Sequence, residues 1–393
     1  MLKFASRMDN MSASEIRELL KSASDPQIIK FSGGFPAPEL FPVKEMKEAS
    51  MKVFDELGST ALQYSSTDGY LPLREKLAKR MFDKQQIKTD AEHILMTAGS
   101  QMGLDFSGRV FLNEGDVVLL EAPSYLGAIN AFKANQPKFV AIPTDDEGML
   151  IDELKKAIEE NDNIKFCYVI PDFQNPTGKV WSLERRKQFM EVMTDAEIPV
   201  VEDNPYGELR FEGTPQPSLK TMDPKGLVIY LGTMSKILAP GQRLGWVCAE
   251  DEILEKYNIM EQASALQAST ISQMEVNAFM DMFDLDDHIK KILPAYDSRR
   301  KCMIAAMEKY LPEGCKFTRS EGGLFTWIEA PESVDMKALQ PECIKRGVAY
   351  VPGAPFFPNG GGLNTARLNY SAEPEERIEE GIKIIADAIK EVL

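Results

Sequence analysis

Short apolar segments alternate with amphipathic segments between residues 93 and 231, and this alternation limits the fold more than any other feature. The apolar segments are predicted as strands at 93–97, 116–121, 138–142, 165–170, 198–202 and 227–231. The intervening segments are predicted as helices at 101–112, 125–135, 151–160 and 183–196. Continuously apolar strands separated by helices form a mainly parallel sheet that is covered on both faces. Ligands of such sheets bind beyond the carboxyl ends of the strands.

The pattern differs on either side of this region. Residues 11–22 are predicted as a short helix, and residues 31–42, with two glycines and three prolines, as an ordered loop or a linker. Residues 251–290 are helical and rich in Met, and they are predicted to form a long connection. The C-terminal part is predicted as helices at 295–310, 335–346 and 374–392, with strands near 322–328, 348–351 and 365–370.

The fold class is therefore predicted as α/β. We expect a large domain with a mainly parallel seven-stranded sheet flanked by helices, a smaller α+β C-terminal domain and an N-terminal helical arm. The predicted divisions are 1–45 for the arm and substrate loop, 46–288 for the large domain and 289–393 for the small domain. A chain of 393 residues is long enough for such a division.

Composition excludes several classes of function. The net charge of -16 argues against a nucleic-acid partner, because phosphates require a local excess of Lys and Arg. Two histidines exclude a multi-histidine metal site, and the five cysteines, which include no CxxC pair, indicate a reducing compartment. No apolar run is long enough to span a membrane, and the first residues do not form a signal peptide. We therefore expect a cytoplasmic protein without a metal or membrane contact.

A lysine at the end of the last predicted strand is the first candidate for chemistry. Lys236 lies on a turn between the strand at 227–231 and the helix-breaking pair Pro240-Gly241. Apolar surroundings favour the neutral, nucleophilic amine that Schiff-base chemistry uses. Thr233, Ser235 and Arg243 together offer hydroxyl and guanidinium donors that suit a phosphate. From these residues alone, an ordinary exposed lysine in a loop is equally compatible with the sequence.

Other polar residues follow the ends of the neighbouring strands, and their position favours a functional site. They are Ser100, Tyr125, Asn175, Asp203 and Tyr206. The strand–glycine–helix pattern before Ser100 directs free backbone N–H groups toward an anion. Structural alternatives remain open for single residues: Asn175 as a turn residue, Asp203 as a helix cap and Tyr125 as a core aromatic.

Three motifs carry a resemblance to a known family. They are Pro-Asp-Phe-Gln-Asn-Pro-Thr-Gly at 171–178, Glu-Asp-Asn-Pro-Tyr at 202–206, and the segment around Lys236. In this order, they resemble the fold-type I enzymes that use pyridoxal 5′-phosphate, in the class I/II aminotransferase branch. The segments at 32–42 and 70–74 are similar to a narrower group, which holds the 2-aminoadipate and kynurenine aminotransferases and the aminotransferase-like half of certain bacterial regulators.

The resemblance implies a role for each residue around the cofactor ring. Lys236 would bond pyridoxal 5′-phosphate covalently and then act as general acid and base, and Asp203 would keep the pyridine nitrogen protonated. Asn175 and Tyr206 would hydrogen-bond the phenolic oxygen of the ring, and Tyr125 would lie flat against the ring.

The resemblance also implies contacts to the phosphate and the substrate. The phosphate would be bound by Ser100, Gln101, Thr233, Ser235, Arg243 and, in the neighbouring subunit, Tyr64, which implies a homodimer with shared active sites. The substrate would be bound by Arg367 at the α-carboxylate, with Asn175 beside it, by Gly34 through close backbone approach and by Arg17 at distal groups. From the residues alone, Arg17 is equally well explained as a solvated helix residue.

The implied activity is a ping-pong transamination between amino acids and 2-oxo acids. The expected acceptor is 2-oxoglutarate, and the candidate donors are 2-aminoadipate, aromatic and branched-chain amino acids. Two alternatives remain, because a fold does not fix its chemistry. One is a β-lyase or another pyridoxal phosphate reaction on the same fold. The other is a non-catalytic ligand-sensing module, which the acidic charge and the absence of a helix-turn-helix pattern disfavour.

Overall fold

The computed structural model describes residues 2–10, 25 and 27–393. The α-helices in this part of the chain are α1 (Val43–Ala61), α2 (Leu71–Gln85), α3 (Ser100–Phe111), α4 (Leu126–Lys133), α5 (Ile151–Glu160), α6 (Leu183–Asp195), α7 (Asp251–Ser264), α8 (Thr270–Met282), α9 (Leu285–Tyr310), α10 (Met336–Lys345) and α11 (Glu375–Lys390). The strands are β1 (Ile29–Lys30), β2 (Ile94–Thr97), β3 (Val117–Ala122), β4 (Lys138–Asp145), β5 (Gly148–Met149), β6 (Ile164–Val169), β7 (Val200–Asp203), β8 (Val228–Thr233), β9 (Gly245–Cys248), β10 (Lys316–Phe317), β11 (Phe325–Glu329), β12 (Val348–Ala349), β13 (Val351–Pro352) and β14 (Thr365–Asn369).

The large sheet has the strand order β2-β9-β8-β7-β6-β3-β4-β5. Strands β4, β3, β6, β7 and β8 run parallel, whereas β9 is antiparallel to both of its neighbours. The predicted α/β fold with a mainly parallel sheet flanked by helices is thus confirmed. The short hairpin strand β5 adds an eighth strand at the edge of the predicted seven.

Alternating side chains of the central strands pack on both faces of this sheet. On β6, Phe166 and Tyr168 belong to one buried cluster, whereas Cys167 and Val169 belong to another. The first cluster includes residues of α3, α4 and α7, and the second includes residues of α5 and α6. Because both faces are buried, the central strands are mainly apolar, as the sequence pattern indicates, and Glu121 of β3 and Glu202 of β7 are buried exceptions. Because strands β4, β3, β6, β7 and β8 run parallel, their carboxyl ends all lie at one edge of the sheet.

A smaller antiparallel sheet forms the C-terminal part, with the order β10-β11-β14-β13. Strand β1 from the N-terminal part pairs with β12 in a separate two-stranded sheet. Helices α9 and α11 pack together, with Met303, Met307, Ile378, Ile382 and Ile385 in one buried cluster. The predicted strands and terminal helix of this part agree with these elements within a few residues.

Helix α9 begins ten residues before its predicted start at residue 295 and continues through Pro294. A proline removes one backbone hydrogen bond and leaves the carbonyl four residues earlier without a donor. That carbonyl belongs to Lys290, which is exposed, so that water can satisfy it. The predicted domain boundary between residues 288 and 289 falls inside this continuous helix. The division into domains stays a prediction.

Residues 251–290 form two complete helices, α7 and α8, and the first turns of α9 rather than one connection. The helix predicted at 11–22 lies outside the described residues. Among the helices of the described part, none is both long and apolar enough to cross a membrane.

Candidate active site

A cavity of about 140 Å³ lies at the edge of the large sheet where the parallel strands end. Its lining residues are Gly99, Ser100, Gln101, Tyr125, Ile170, Asn175, Asp203, Pro205, Tyr206, Thr233, Ser235, Lys236 and Arg243. All but Gly99, Ile170 and Pro205 are predicted site residues. The sheet topology thus brings residues from positions 99 to 243 to one place.

The end of the cavity lined by Gly99, Ser100 and Arg243 is suited to bind an anion. Helix α3 begins at Ser100, directly after Gly99, whose φ of 82° is a left-handed conformation suited to glycine. The first N–H groups of a helix have no partner within the helix, and the helix dipole adds positive charge there. The Arg243 guanidinium lies so close that a Cβ atom on Gly99 would be 2.7 Å from its Nη2 atom.

Hydroxyl groups complete this end of the cavity. Thr233 Oγ1 donates to the carbonyl of Leu244 at 3.0 Å and accepts a hydrogen bond of 3.1 Å from the backbone N–H of Ser235. Thr233 therefore holds Ser235 in place, and its own hydroxyl is already engaged. The Arg243 guanidinium donates to the backbone carbonyls of Ala98 at 3.0 Å and Pro240 at 3.3 Å, and no carboxylate of the described residues pairs with it, so its charge is available to a ligand.

Lys236 lines the cavity. Its Nζ atom donates to the carbonyl of Gly34 at 2.9 Å. Burial, together with the charges of Arg367 and Arg243, lowers the pKa of Lys236 to about 8, against the opposing effect of Asp203. Neutral and charged forms of the amine are therefore both populated near neutral pH. An amine of this kind can act as a nucleophile and as a proton carrier.

The two oxygens of Asp203 have different environments. Oδ2 accepts a hydrogen bond of 3.0 Å from the hydroxyl of Tyr168, whereas Oδ1 is buried and has no partner among the described residues. Burial raises the pKa of Asp203 to about 7, although the Tyr168 hydrogen bond and the charge of Lys236 oppose this effect. A buried carboxylate oxygen without a donor is costly, so that Oδ1 is suited to a cationic N–H group of a ligand.

Arg367 on β14 reaches the cavity from the smaller sheet. Its Nη1 atom donates to Asn175 Oδ1 at 2.9 Å, and its Nη2 atom donates to the carbonyl of Ser32 at 3.0 Å. The guanidinium carbon lies 4.3 Å from the ring centre of Phe325, a cation–π distance. Burial lowers the pKa of Arg367 to about 10, so that it remains charged at neutral pH. Its Nε atom is buried without a partner in the described part of the chain.

Asn175 links this arginine to the rest of the cavity. Its Nδ2 atom donates to the hydroxyl of Tyr206 at 3.3 Å. Burial raises the pKa of Tyr206 above its ordinary value, so that the hydroxyl keeps its proton. The predicted residues Gly34 and Arg367 are thus adjacent to the cavity through Lys236 and Asn175, although they do not line it.

Tyr64 does not line this cavity. The Tyr64 side chain is 77% exposed, which leaves its predicted contact to a second subunit untested in a single chain. Arg17 lies outside the described residues. A larger cavity, of about 500 Å³, lies elsewhere and contains none of the predicted site residues; Lys179, Lys316 and Glu329 are among its lining residues.

The sequence did not indicate Tyr168, Ser32 or Phe325 as site residues. The only sequence signal for Tyr168 is a hydroxyl within an otherwise apolar strand. Ser32 contributes its backbone carbonyl, and Phe325 its ring face, so that neither has a recognisable residue-type signal.

The donors and acceptors of the cavity fit pyridoxal 5′-phosphate. The helix start with Ser235 and Arg243 matches its phosphate, and the free Oδ1 of Asp203 matches its protonated ring nitrogen. Lys236 supplies an amine for its aldehyde.

Comparisons with known proteins agree with the site. The family model "Aminotransferase class I and II" matches residues 26–385. The chain is 45% identical over 392 residues to aromatic-amino-acid aminotransferase 1 of Thermococcus litoralis, covering 99% of this chain and 94% of that protein. The structure of Pyrococcus horikoshii kynurenine aminotransferase in complex with PMP has a TM-score of 0.95 and 42% identity, covering 99% of this chain and 97% of the other.

A third protein of known structure is also similar to this chain. The structure of the α-aminoadipate aminotransferase of Thermus thermophilus, complexed with N-(5′-phosphopyridoxyl)-L-leucine, has a TM-score of 0.91 and 39% identity and covers 99% of this chain and 97% of that chain. These structures carry the cofactor or an adduct of it on the same fold. Because the family model matches nearly the whole chain, the chain belongs to the class I and II aminotransferases and is a pyridoxal-phosphate-dependent aminotransferase.

Proposed function

We propose that this protein transfers the amino group of an α-amino acid to 2-oxoglutarate by a ping-pong mechanism. One observation carries the proposal: Lys236 and Arg367 both reach the loop at 32–34. Lys236 Nζ contacts the Gly34 carbonyl, and Arg367 Nη2 contacts the Ser32 carbonyl. An α-carboxylate bound by Arg367 would therefore bring its α-carbon close to the Lys236 amine, as proton transfer requires.

The phosphate of the cofactor would be bound at the start of α3. Ser100 and Gln101 would donate their backbone N–H groups, and Ser235 and Arg243 their side chains. Thr233 would act by fixing Ser235, because its hydroxyl is engaged with Leu244. The left-handed backbone of Arg243, with φ of 49°, places its guanidinium beside this group.

The ring would be held by the residues at the other end of the cavity. Asp203 would accept a hydrogen bond from the ring nitrogen, and Asn175 and Tyr206 would donate to the phenolic oxygen. Tyr125 would lie against the ring face; its own ring folds back over Gly127, where an added Cβ would be 2.4 Å away. When bound, pyridoxal 5′-phosphate supplies an electron sink for the negative charge that develops at the α-carbon.

The proton transfer would be carried by Lys236. Its amine, with a pKa of about 8, would take the proton from the α-carbon and deliver it to the C4′ atom of the cofactor. Arg367 would hold the α-carboxylate through its planar fork, exchanging its hydrogen bonds to Asn175 and Ser32 for stronger, charge-assisted ones. Gly34 lacks a side chain, which allows substrate to approach its backbone.

Candidate donors are aromatic amino acids, 2-aminoadipate and branched-chain amino acids. The names of the similar proteins, which refer to aromatic amino acids, kynurenine and α-aminoadipate, support the first two classes. Arg17 would provide a charge for acidic donors. Phe35, 52% exposed, and the half-buried Phe357 would offer apolar contacts for the other donors.

The functional unit is proposed to be a homodimer in the cytoplasm. Tyr64 and the nearby apolar side chains Leu62 and Leu266 are 77%, 67% and 55% exposed, which supports a surface that a second subunit covers. Tyr64 would then reach the phosphate bound by the other subunit. All five cysteines are free thiols, in agreement with a reducing compartment.

Half-reactions test the mechanism directly. Incubation of the holoenzyme with an amino donor alone should release one equivalent of 2-oxo acid per site, and 2-oxoglutarate should then regenerate the starting form. Initial rates at varied donor and acceptor concentrations should give parallel double-reciprocal lines. Intersecting lines, or no release of 2-oxo acid without acceptor, would exclude the ping-pong proposal.

A donor panel tests the role of Arg17. In Arg17→Ala, KM should rise roughly tenfold or more for 2-aminoadipate and glutamate, because a charge-assisted hydrogen bond is lost, and change little for aromatic or aliphatic donors. A uniform loss across all donors would mean that Arg17 only stabilises its own segment.

A further inference from the structure

Asp203 depends on one neighbour for its orientation. Its Oδ2 atom accepts from the Tyr168 hydroxyl at 3.0 Å, and its Oδ1 atom has no partner in the described part of the chain. A carboxylate with one oxygen fixed by a donor cannot rotate freely, so that the second oxygen keeps one direction. That second oxygen belongs to a residue that lines the cavity.

Tyr168 is itself fixed by the sheet and the core. It lies on β6 opposite Val201 of β7, two residues before Asp203. The side chain is fully buried, and its ring packs edge-on against Phe132 with the ring centres 5.7 Å apart. Burial and the charge of Asp203 raise the pKa of Tyr168 well above its ordinary value, so that the hydroxyl remains a donor at every working pH.

The hydrogen bond also changes the basicity of Asp203. A donor to a carboxylate favours its charged form, and here the Tyr168 bond opposes the rise that burial causes. A ring nitrogen that contacts Asp203 shares one proton with it. A less basic carboxylate leaves that proton on the nitrogen, whereas a more basic one withdraws it. Without Tyr168, the proton would therefore move toward Asp203.

We propose that Tyr168 is a positioning residue for transamination, which acts through Asp203 to direct Oδ1 at the ring nitrogen and to keep the proton on that nitrogen. This inference rests on the proposed contact between Asp203 and the ring. It assigns a function to a side chain that does not itself line the cavity.

Tyr168→Phe tests the proposal, because phenylalanine keeps the ring packing and removes only the hydroxyl. Protonation is read from the ¹⁵N chemical shift of the bound cofactor, after reconstitution with pyridoxal 5′-phosphate labelled at the ring nitrogen. The shift should move toward the value of the unprotonated pyridine. We expect kcat to fall about tenfold, from the loss of one hydrogen bond to a charged group, with KM for the donor nearly unchanged.

Tyr257→Phe is the matched control. Tyr257 is also fully buried in the same cluster, and its hydroxyl donates to Ser107 Oγ at 2.8 Å. Both variants should lose stability, but only Tyr168→Phe should change the ¹⁵N shift. If the two variants lower stability equally and leave the ¹⁵N shift and kcat unchanged, Tyr168 is merely a core residue and the proposal is wrong.

Asp203→Asn separates this proposal from the one on which it rests. If Asp203→Asn changes the ¹⁵N shift and Tyr168→Phe does not, only the role of Tyr168 is overturned. If Asp203→Asn also leaves the shift unchanged, the contact between Asp203 and the ring nitrogen is itself wrong, and the role of Tyr168 is overturned with it.

Discussion

A buried carboxylate far from the mechanism should make this protein less stable as the pH rises. Glu261 of helix α7 lies on the same helix face as Leu254 and Tyr257, which belong to the core. The side chain has no exposed surface, and neither carboxylate oxygen has a hydrogen-bond partner among the described residues. Burial raises the pKa of Glu261 from 4.5 to about 7. The folded protein therefore holds a proton that the unfolded chain releases.

The sign and size of the effect follow from this difference. Because the pKa of Glu261 is raised in the folded state, Glu261 contributes favourably to the free energy of unfolding below about pH 4.5. This contribution is lost progressively between pH 4.5 and 7. The difference between the two pKa values corresponds to about 3 kcal/mol of folding stability, since each pKa unit is worth about 1.4 kcal/mol. Glu261→Gln, which cannot ionise, should therefore stabilise the protein more at pH 8.5 than at pH 5, by about 2–3 kcal/mol.

Urea unfolding of the holoenzyme measures this difference. Wild type and Glu261→Gln are compared at pH 5 and 8.5, at one protein concentration and with saturating cofactor, so that subunit association and ligand binding affect both proteins alike. The control is Glu255→Gln on the same helix, whose carboxylate is exposed and pairs with Lys256 at 3.0 Å. This surface pair should contribute less than about 1 kcal/mol at either pH. An equal effect of Glu261→Gln at both pH values would refute the reasoning.

Two further predictions concern the cofactor. Lys236→Ala should lower turnover at least about a thousandfold, and borohydride should no longer trap the cofactor on the protein. The variant should still bind the cofactor non-covalently, as measured by equilibrium dialysis. Substantial remaining turnover would contradict the assignment of Lys236. Gly99→Ala should weaken cofactor binding about tenfold or more by dialysis, because its Cβ would lie 2.7 Å from Arg243 Nη2 at a φ of 82°. Gly241→Ala, where the added Cβ meets nothing within 4 Å, is the control, and equal losses in both would refute the steric argument.

The sequence was most informative where local pattern and fold agree. The apolar strands between residues 93 and 231 predicted the sheet because both of its faces are buried. Strand β9 was not predicted individually. It has four residues and lies antiparallel between β2 and β8, and its pairing with β2 depends on a partner about 150 residues away. The early start of α9 was hidden by Pro294, which usually marks a helix boundary.

In the candidate site, too, the sequence predicts the contacts that follow from sheet topology but not those between distant parts of the chain. Asn175, Asp203 and Lys236 follow strand ends, so that the topology of a parallel sheet alone predicts their proximity. The contact of Arg367 with Asn175 cannot be predicted in this way, because it joins two sheets across 192 positions of sequence. The Tyr168 hydroxyl was missed for a different reason: a tyrosine in an apolar strand has the same pattern whether it only fills space or also donates to Asp203.

Helix α9 also restricts where this chain can be recombined with a relative. Its first half contributes Leu285, Ile289 and Ile292 to the core shared with α8, and its second half contributes Met303 and Met307 to the core of the smaller sheet. A crossover at residue 288 or 289 would place Ile289 and Ile292 of one parent against α8 of the other. Chimeras that exchange the C-terminal part should instead join between Ile292 and Met303, so that each half of the helix keeps the packing partners of its own parent.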